Sequence, residues 1–254
     1  MKKIILLSSY LLLAASFSYA QKTEGVWQEG KFSKKAVPDA KMELLTEAEP
    51  DTTKGFVPLF NQTGDDAQVL GGTAKFEWVD GELVGTSTLD SPRNSWYCTK
   101  KDYKGNMIIT FYWKWGNDIQ GNSGMMLRAG INKRQWLDGI QVEIEQDPNR
   151  GWTAGIYGEG VFKWQYSLSR EEHDAARKAG ANLYEWNKMT VMYKDGYVKT
   201  WSNGVPCANL KWNTDLDTER RQLNDTDVIG FQVHFNKKIE GSQIKFKDIM
   251  IKEL

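Results

Sequence analysis

The chain has 254 residues, 33 of them basic and 33 acidic, for a formal net charge of zero. That balance leaves no strongly basic face, which argues against a nucleic-acid partner. With 11 Trp, 10 Tyr and 10 Phe, the chain is rich in rings that favour strands and that stack on the apolar C–H faces of sugars.

The first twenty residues read as a secretory signal peptide. Met1, Lys2 and Lys3 give a positive start, Ile4–Leu7 and Leu11–Ala15 an apolar stretch, and Ser18-Tyr19-Ala20 a small-x-small cleavage pattern. The apolar run is short of the ~20 residues of a spanning helix, so no membrane span is expected after cleavage near Ala20-Gln21. Without Lys2 and Lys3 the balance is 31 basic against 33 acidic residues, or −2. The expected location is secreted or periplasmic. Residues 21–54 carry few apolar residues, together with Pro38 and Pro50, and read as an extended arm or linker. Compact structure is expected from Gly55, with residues 55–254 as one all-β domain of ordinary size.

Strand signals follow in order. Phe76–Val79 and Glu82–Val84 flank Asp80-Gly81, a two-residue hairpin signal. Met107, Ile109, Phe111, Trp113 and Trp115 share one face of a long strand by period-two alternation. Ser123–Ala129 reads as the next strand. Ile140, Val142 and Ile144 then alternate with Gln141, Glu143 and Glu145. Met189, Val191 and Tyr193 lead into a turn at Asp195-Gly196, followed by Val198–Trp201 and a second turn at Asn203-Gly204. Val228–Phe235 and Ile244–Ile251 complete the set. One helical excursion is expected near residues 169–179, opened by Ser169 with Glu172 three residues on and stopped by Gly180. Many short strands joined by turn residues predict a two-sheet sandwich. Cys98 and Cys207 lie far apart in sequence, with no CxxC or Cys/His cluster. Two buried free thiols are expected ahead of a disulfide, and no metal site or cofactor is expected.

Two strands present polar rows. Gln141, Glu143 and Glu145 share one face of theirs. Gln232 and His234 share a face opposite Phe231, Val233 and Phe235. Such rows suit a hydroxyl-rich ligand, although a solvated outer face has the same pattern. Gly121-Asn122-Ser123-Gly124 marks a tight bend at a strand entrance. Arg128 lies beyond it, with Glu143 or Glu145 as possible ion-pair partners.

Ordered motifs over residues 55–254 resemble the 3-keto-disaccharide hydrolase domain family. They are Gly55-Phe56-Val57-Pro58-Leu59-Phe60-Asn61, Trp78-Val79-Asp80-Gly81-Glu82-Leu83-Val84-Gly85, Gly121-Asn122-Ser123-Gly124 through Arg128, and Gly155-Ile156-Tyr157-Gly158. Glu185-Trp186-Asn187, Asn203-Gly204-Val205, Ile229-Gly230-Phe231-Gln232-Val233-His234 and Ile249–Leu254 continue the series. The resemblance implies a concanavalin A-like two-sheet jelly roll in an exported protein that cleaves 3-keto-glycosides. It departs from the family pattern at Gln141 and Glu143, where acid and amide are exchanged, and at Val233, where an Asp is usual.

In the implied reaction a C3 ketone acidifies the C2 proton, a base removes it, the enolate expels the group at C1, and water adds. The site then needs a base, a donor or cation for the enolate oxygen, and an acid for the leaving oxygen. The candidates are His234 or Glu143 as base and Arg128 as enolate stabiliser. Gln141, Glu145, Gln232, Asn122, Tyr157 and Trp152 would bind the oligosaccharide or modified glycoside. A non-catalytic sugar-binding module is the alternative, with Trp136, Trp152 or Trp164 as platforms. A retaining glycosidase ranks third, because Pro148 stands where the Glu-x-Asp-x-x-Glu pattern of such jelly rolls places its second Glu. Serine hydrolase chemistry is disfavoured, since Gly121-Asn122-Ser123-Gly124 lacks the Gly-x-Ser-x-Gly elbow.

Overall fold

A computed structural model of the chain describes residues 26–28, 31–33, 45–119, 121–146, 153–160, 163–166, 168, 174–179, 182–212, 225–235 and 239–254. The strands in chain order are β1 (Val26–Gln28), β2 (Lys31–Ser33), β3 (Val57–Pro58), β4 (Ala67–Gly71), β5 (Lys75–Val79), β6 (Glu82–Thr86), β7 (Ser95–Thr99), β8 (Met107–Trp115) and β9 (Asn122–Ile131). They continue as β10 (Leu137–Glu145), β11 (Ile156–Glu159), β12 (Lys163–Tyr166), β13 (Asn187–Lys194), β14 (Tyr197–Ser202), β15 (Val205–Lys211), β16 (Val228–Val233) and β17 (Gln243–Glu253).

Two antiparallel sheets form the domain. The front sheet runs β12-β11-β10-β9-β16-β7-β4, and the back sheet runs β15-β14-β13-β8-β17-β6-β5, with β3 added against β17. This is the all-β jelly-roll sandwich that the sequence predicts. The core lies between the sheets, because alternation sends one residue in two inward. Met107, Ile109, Phe111, Trp113 and Trp115 of β8 meet Met125 and Leu127 of β9, Ile140, Val142 and Ile144 of β10, and Phe231 and Val233 of β16. Phe231 packs edge-on to Phe111 at 5.1 Å and to Phe246 at 4.8 Å, tying the sheets together at their centre.

The predicted hairpins form where the turn residues permit them. Asp80-Gly81, Asp195-Gly196 and Asn203-Gly204 all have positive φ at both positions, the type I′ geometry that matches strand twist. The helical excursion is present where expected, over its described part. α1 spans Asp174–Ala179, and Asp174 pairs with Arg177 at 2.8 Å and Lys178 at 2.6 Å. Ser169 to His173 and Gly180 lie outside the described residues, as does the expected signal peptide.

Packed structure begins before Gly55. Leu45 is buried, the Trp201 indole donates to the Glu47 carbonyl at 2.8 Å, and Glu49 pairs with Lys188 at 2.8 Å and accepts from Thr190. Lys188, Thr190 and Trp201 alternate with the core residues Met189, Val191 and Val198. The segment near residues 45–50 therefore crosses the outer face of the back sheet. Earlier still, β1 and β2 pair with each other, so the expected arm contains a short hairpin. Cys98 and Cys207 are free and buried, and burial pushes both thiols up to about 12.

Candidate functional site

The outer face of the front sheet is divided in two. One half is apolar: Leu70, Trp96, Cys98, Met126, Ala129, Leu137 and Val228 form a second cluster, with Ile131 and Trp136 packed on it. The other half is polar. Gln141, Glu143 and Glu145 project from β10, and Gln232 projects from the facing position on β16. These four side chains are 2%, 4%, 3% and 0% exposed, which rules out a solvated outer face. Buried polar groups on this scale must be hydrogen-bonded to be tolerated.

They are bonded across β9. Gln232 Nε2 donates to Gln141 Oε1 at 3.2 Å, and Gln141 Nε2 donates to Gln232 Oε1 at 3.5 Å and to Glu143 Oε2 at 2.8 Å. The strand between the two glutamines carries Gly124, which is cross-strand to both Glu143 and Gln232. A Cβ at Gly124 would stand 2.8 Å from Gln141 Cγ and Nε2 and 2.9 Å from the Val142 carbonyl oxygen. The absent side chain is what lets the two amides meet over β9. One residue pair further along, the Asn122 amide nitrogen donates to Glu143 Oε1 and, at 3.3 Å, to Glu145 Oε2. A single amide thus bridges the two carboxyl groups. The Asn122 carbonyl accepts from the His234 backbone at 3.1 Å, so His234, Asn122 and Glu145 form a row over three strands.

The two titratable groups at the ends of this network move in opposite directions. Burial pushes the Glu143 carboxyl up to about 8, and the nearby charges of Glu145 and Glu159 add to the rise against the Asn122 and Gln141 hydrogen bonds. His234 is exposed at the rim and stacks on Phe235 at 5.4 Å. Enclosure of its imidazole by protein still pulls it below the ordinary histidine value, against the opposite pull of Glu145.

Arg128 is placed elsewhere. The ladder slips register on both sides of it, between Asp138 and Ile140 on β10 and between Val228 and Gly230 on β16, and its φ is 51°. It is the extra residue of a bulge, which takes it out of alternation: Leu127 faces the core and Ala129 the outer face. Its Nε lies 3.5 Å from Asp227, its guanidinium stacks 5.1 Å from the Tyr193 ring, and it donates to the Lys104 carbonyl. Asp227 thus takes the place of the expected Glu143 or Glu145 partner. Arg128 ties the front sheet to Tyr193 of the back sheet.

Tyr157 stands cross-strand to Gln141 on β11, and its ring meets Trp164 edge-on at 5.4 Å. Burial, with the charges of Glu159 and Glu143, pushes its hydroxyl up to about 12. Glu159 follows on the same face, and burial next to Asp138 raises its carboxyl to about 7. Its signal was legible: Tyr157 and Glu159 alternate about Gly158 just as Gln141 and Glu143 alternate about Val142. Trp136 lies over the apolar half with the Arg93 guanidinium 4.7 Å from its ring. Trp152 lies outside the described residues. No group of three or more His, Cys, Asp or Glu among the described residues is placed to hold a metal ion. No described helix is long and apolar enough to cross a membrane.

Comparison with known proteins agrees with this geometry. No curated protein matches the sequence. A candidate glycosyl hydrolase from Parabacteroides distasonis ATCC 8503 superposes with a TM-score of 0.52 at 25% identity, covering 79% of this chain and 94% of the other. The carbohydrate-binding module CBM66 from Bacillus subtilis superposes with a TM-score of 0.52 at 8% identity, covering 78% of this chain and 100% of the module, and shares the fold. The model of the 3-keto-alpha-glucoside-1,2-lyase-like domain matches residues 55–252. With an all-β sandwich and a buried acid and amide network on its front sheet, the chain is a carbohydrate-related jelly-roll protein and belongs to the 3-keto-alpha-glucoside-1,2-lyase-like domain family.

Proposed function

We propose that the protein cleaves 3-keto-α-glucosides at the front-sheet network by removing the C2 proton and expelling the C1 substituent. The observation that carries this reading is the opposed titration of His234 and Glu143 at the two ends of the Asn122 bridge. A pair of groups whose surroundings push them apart is a natural acid and base assignment. Neutral His234 accepts the C2 proton, which the adjacent ketone has acidified. The electron pair forms the C2–C3 enolate and, as it collapses, breaks the C1–O bond. Protonated Glu143 supplies the proton that the leaving oxygen needs. The amide donors of Asn122 and Gln232 suit the enolate oxygen, and Gln141, Glu145 and Tyr157 suit sugar hydroxyls. Water adding to the unsaturated product completes net hydrolysis. Arg128 acts at a distance, by holding the bulge that sets the register of β9.

The test is release of a chromogenic leaving group from a 3-keto-α-glucoside, with the plain α-glucoside alongside. The keto substrate should turn over and the plain glucoside should not. His234→Ala and Glu143→Gln should each lose about 10²–10⁴ in rate, the range of a positioned acid or base. Equal turnover of both substrates would point instead to a retaining glycosidase using Glu143 and Glu145. Sugar binding without turnover of either would support the second reading, a carbohydrate-binding site. The observation that favours that second reading is the neutral, buried Gln141–Gln232 pair, which can hold hydroxyls without moving a proton.

A further inference from the structure

We infer that the hairpin joining β9 to β10 holds a site for the carboxylate of an acidic sugar, formed by the guanidiniums of Arg93 and Arg134 over Trp136. The site is separate from the Glu143 network and does not depend on the reaction proposed above. The two guanidiniums lie 4.7 Å and 5.5 Å from the centre of the Trp136 ring. Arg93 also donates to the Arg134 carbonyl at 3.2 Å, which ties the two residues together. Hydrogen bonds fix the hairpin tip. The Asn132 side-chain oxygen accepts from the Arg134 and Trp136 backbones at 2.9 Å and 3.2 Å, and the Asn132 amide donates to Asp138 at 3.0 Å. Trp136 in turn packs on the apolar half of the front sheet.

These cations lack a counter-charge. Among the described residues, Arg93, Lys133 and Arg134 form no ion pair, Asp138 is held by Asn132, and Asp90 is exposed. Like charges gathered on one ring repel, and an arriving anion offsets that repulsion. The Arg93 Nε and the Trp136 indole N–H are also buried with no acceptor. A folded protein leaves few such donors unpaired, and here two lie together beside the cations. A carboxylate suits them, because a guanidinium fork donates two parallel N–H bonds to its two oxygens. Arg93 is half-buried and Arg134 exposed, which keeps their outer N–H groups within reach of a ligand. Placement argues for what carries the carboxylate. Trp96 and Met126 of the same apolar cluster are cross-strand to Gln232 and Gln141. The site thus shares a face with the polar network that suits sugar hydroxyls. Three cations match one or two carboxylates, not the long phosphate track of a nucleic acid.

Calorimetric titration of the full-length protein with trigalacturonate, maltotriose and inorganic phosphate tests the site. Trigalacturonate should bind about tenfold more tightly than maltotriose, or better, and its binding should weaken as salt screens the charges. Phosphate should compete with trigalacturonate but bind more weakly. Arg93→Gln and Arg134→Gln should each weaken trigalacturonate about five- to tenfold and leave maltotriose unchanged. Arg134→Lys keeps the charge but loses the fork, so its affinity should fall between wild type and Arg134→Gln. Circular dichroism checks that each variant is folded, and Arg134, on an exposed turn, can be changed without disturbing the core. No binding of trigalacturonate, equal affinity for the two trisaccharides, or an affinity that both glutamine variants leave unchanged overturns the site. Phosphate binding as tightly as trigalacturonate would overturn it too, since the site would then take a free anion and not a sugar. Trigalacturonate binding that the variants weaken supports the site even if no keto-glucoside is cleaved, a result that would count against the proposed reaction alone.

Discussion

Glu143 and His234 make opposite demands on pH, and both demands can be measured. Activity should rise as His234 loses its proton, on a limb below the ordinary histidine value of about 6.5. It should fall again as Glu143 ionises near pH 8. A bell-shaped kcat/KM profile with these limbs is expected, and Glu143→Gln should erase the alkaline limb together with most of the rate. Stability follows from the same group. Its folded value, about 8, lies above the ordinary glutamate value of 4.5, so the folded state binds the extra proton. The contribution is fully present below pH 4.5 and is lost as pH rises toward 8. It is on the order of 3 kcal/mol, allowing for relaxation of the buried site. Glu159, raised to about 7, acts in the same direction. Melting scans should therefore show wild type losing several degrees between about pH 5 and pH 8, with a smaller loss in Glu143→Gln. An unchanged slope in the variant would mean that Glu143 is not the group that titrates. Sequence alternation alone places Gln141, Glu143 and Glu145 on one face. It does not reveal that they are buried or that their partners are Asn122 on β9 and Gln232 on β16, a pairing that only the sheet register supplies.

At the scale of the element, β9 decides what the site can be. Gly124 keeps its centre low enough for Gln141 and Gln232 to join across it. Gly124→Ala should disrupt that pair, cost about 1–3 kcal/mol by overpacking and reduce activity. Gly81→Ala is the matching control: nothing lies within 4 Å of its Cβ position, so it should cost about 1 kcal/mol from its φ of 79° and leave activity intact. Chemical denaturation of the two variants beside wild type checks the order. The strands, the three type I′ turns and the inward faces of β8, β10 and β16 follow directly from period-two patterns and Asp-Gly or Asn-Gly pairs. The bulge at Arg128 does not. Residues 123–129 alternate as if in one regular strand, and only the paired slips on β10 and β16 show that Arg128 is the extra residue. That is why Arg128 is found beside Asp227 and Tyr193 and not beside Glu143. Glu159 differs in kind, since Ile156 to Glu159 carries the alternation that places it on the site face.

For the whole molecule, residues 45–54 brace the back sheet while the reaction is assigned to the front. A chain that begins at Gly55 loses Leu45, the Glu49–Lys188 pair and the Trp201 bond to Glu47. It should melt several degrees below one that begins at Gln21, with the same preference among substrates, because none of these contacts reaches Glu143 or His234. Export belongs to the proposal as well, and the mature protein should begin at Gln21 when its N-terminus is sequenced. The family and the sandwich were legible in motif order and strand pattern, whereas this brace was hidden in a stretch poor in apolar residues. The central claim is that the bond breaks through loss of the C2 proton, and a label at that carbon tests it. A 3-keto-α-glucoside carrying deuterium at C2 should be converted with complete loss of the deuterium to water, and His234→Ala should suppress cleavage and label loss together. Product that keeps its C2 deuterium would contradict the account, because direct hydrolysis at C1 never touches that bond.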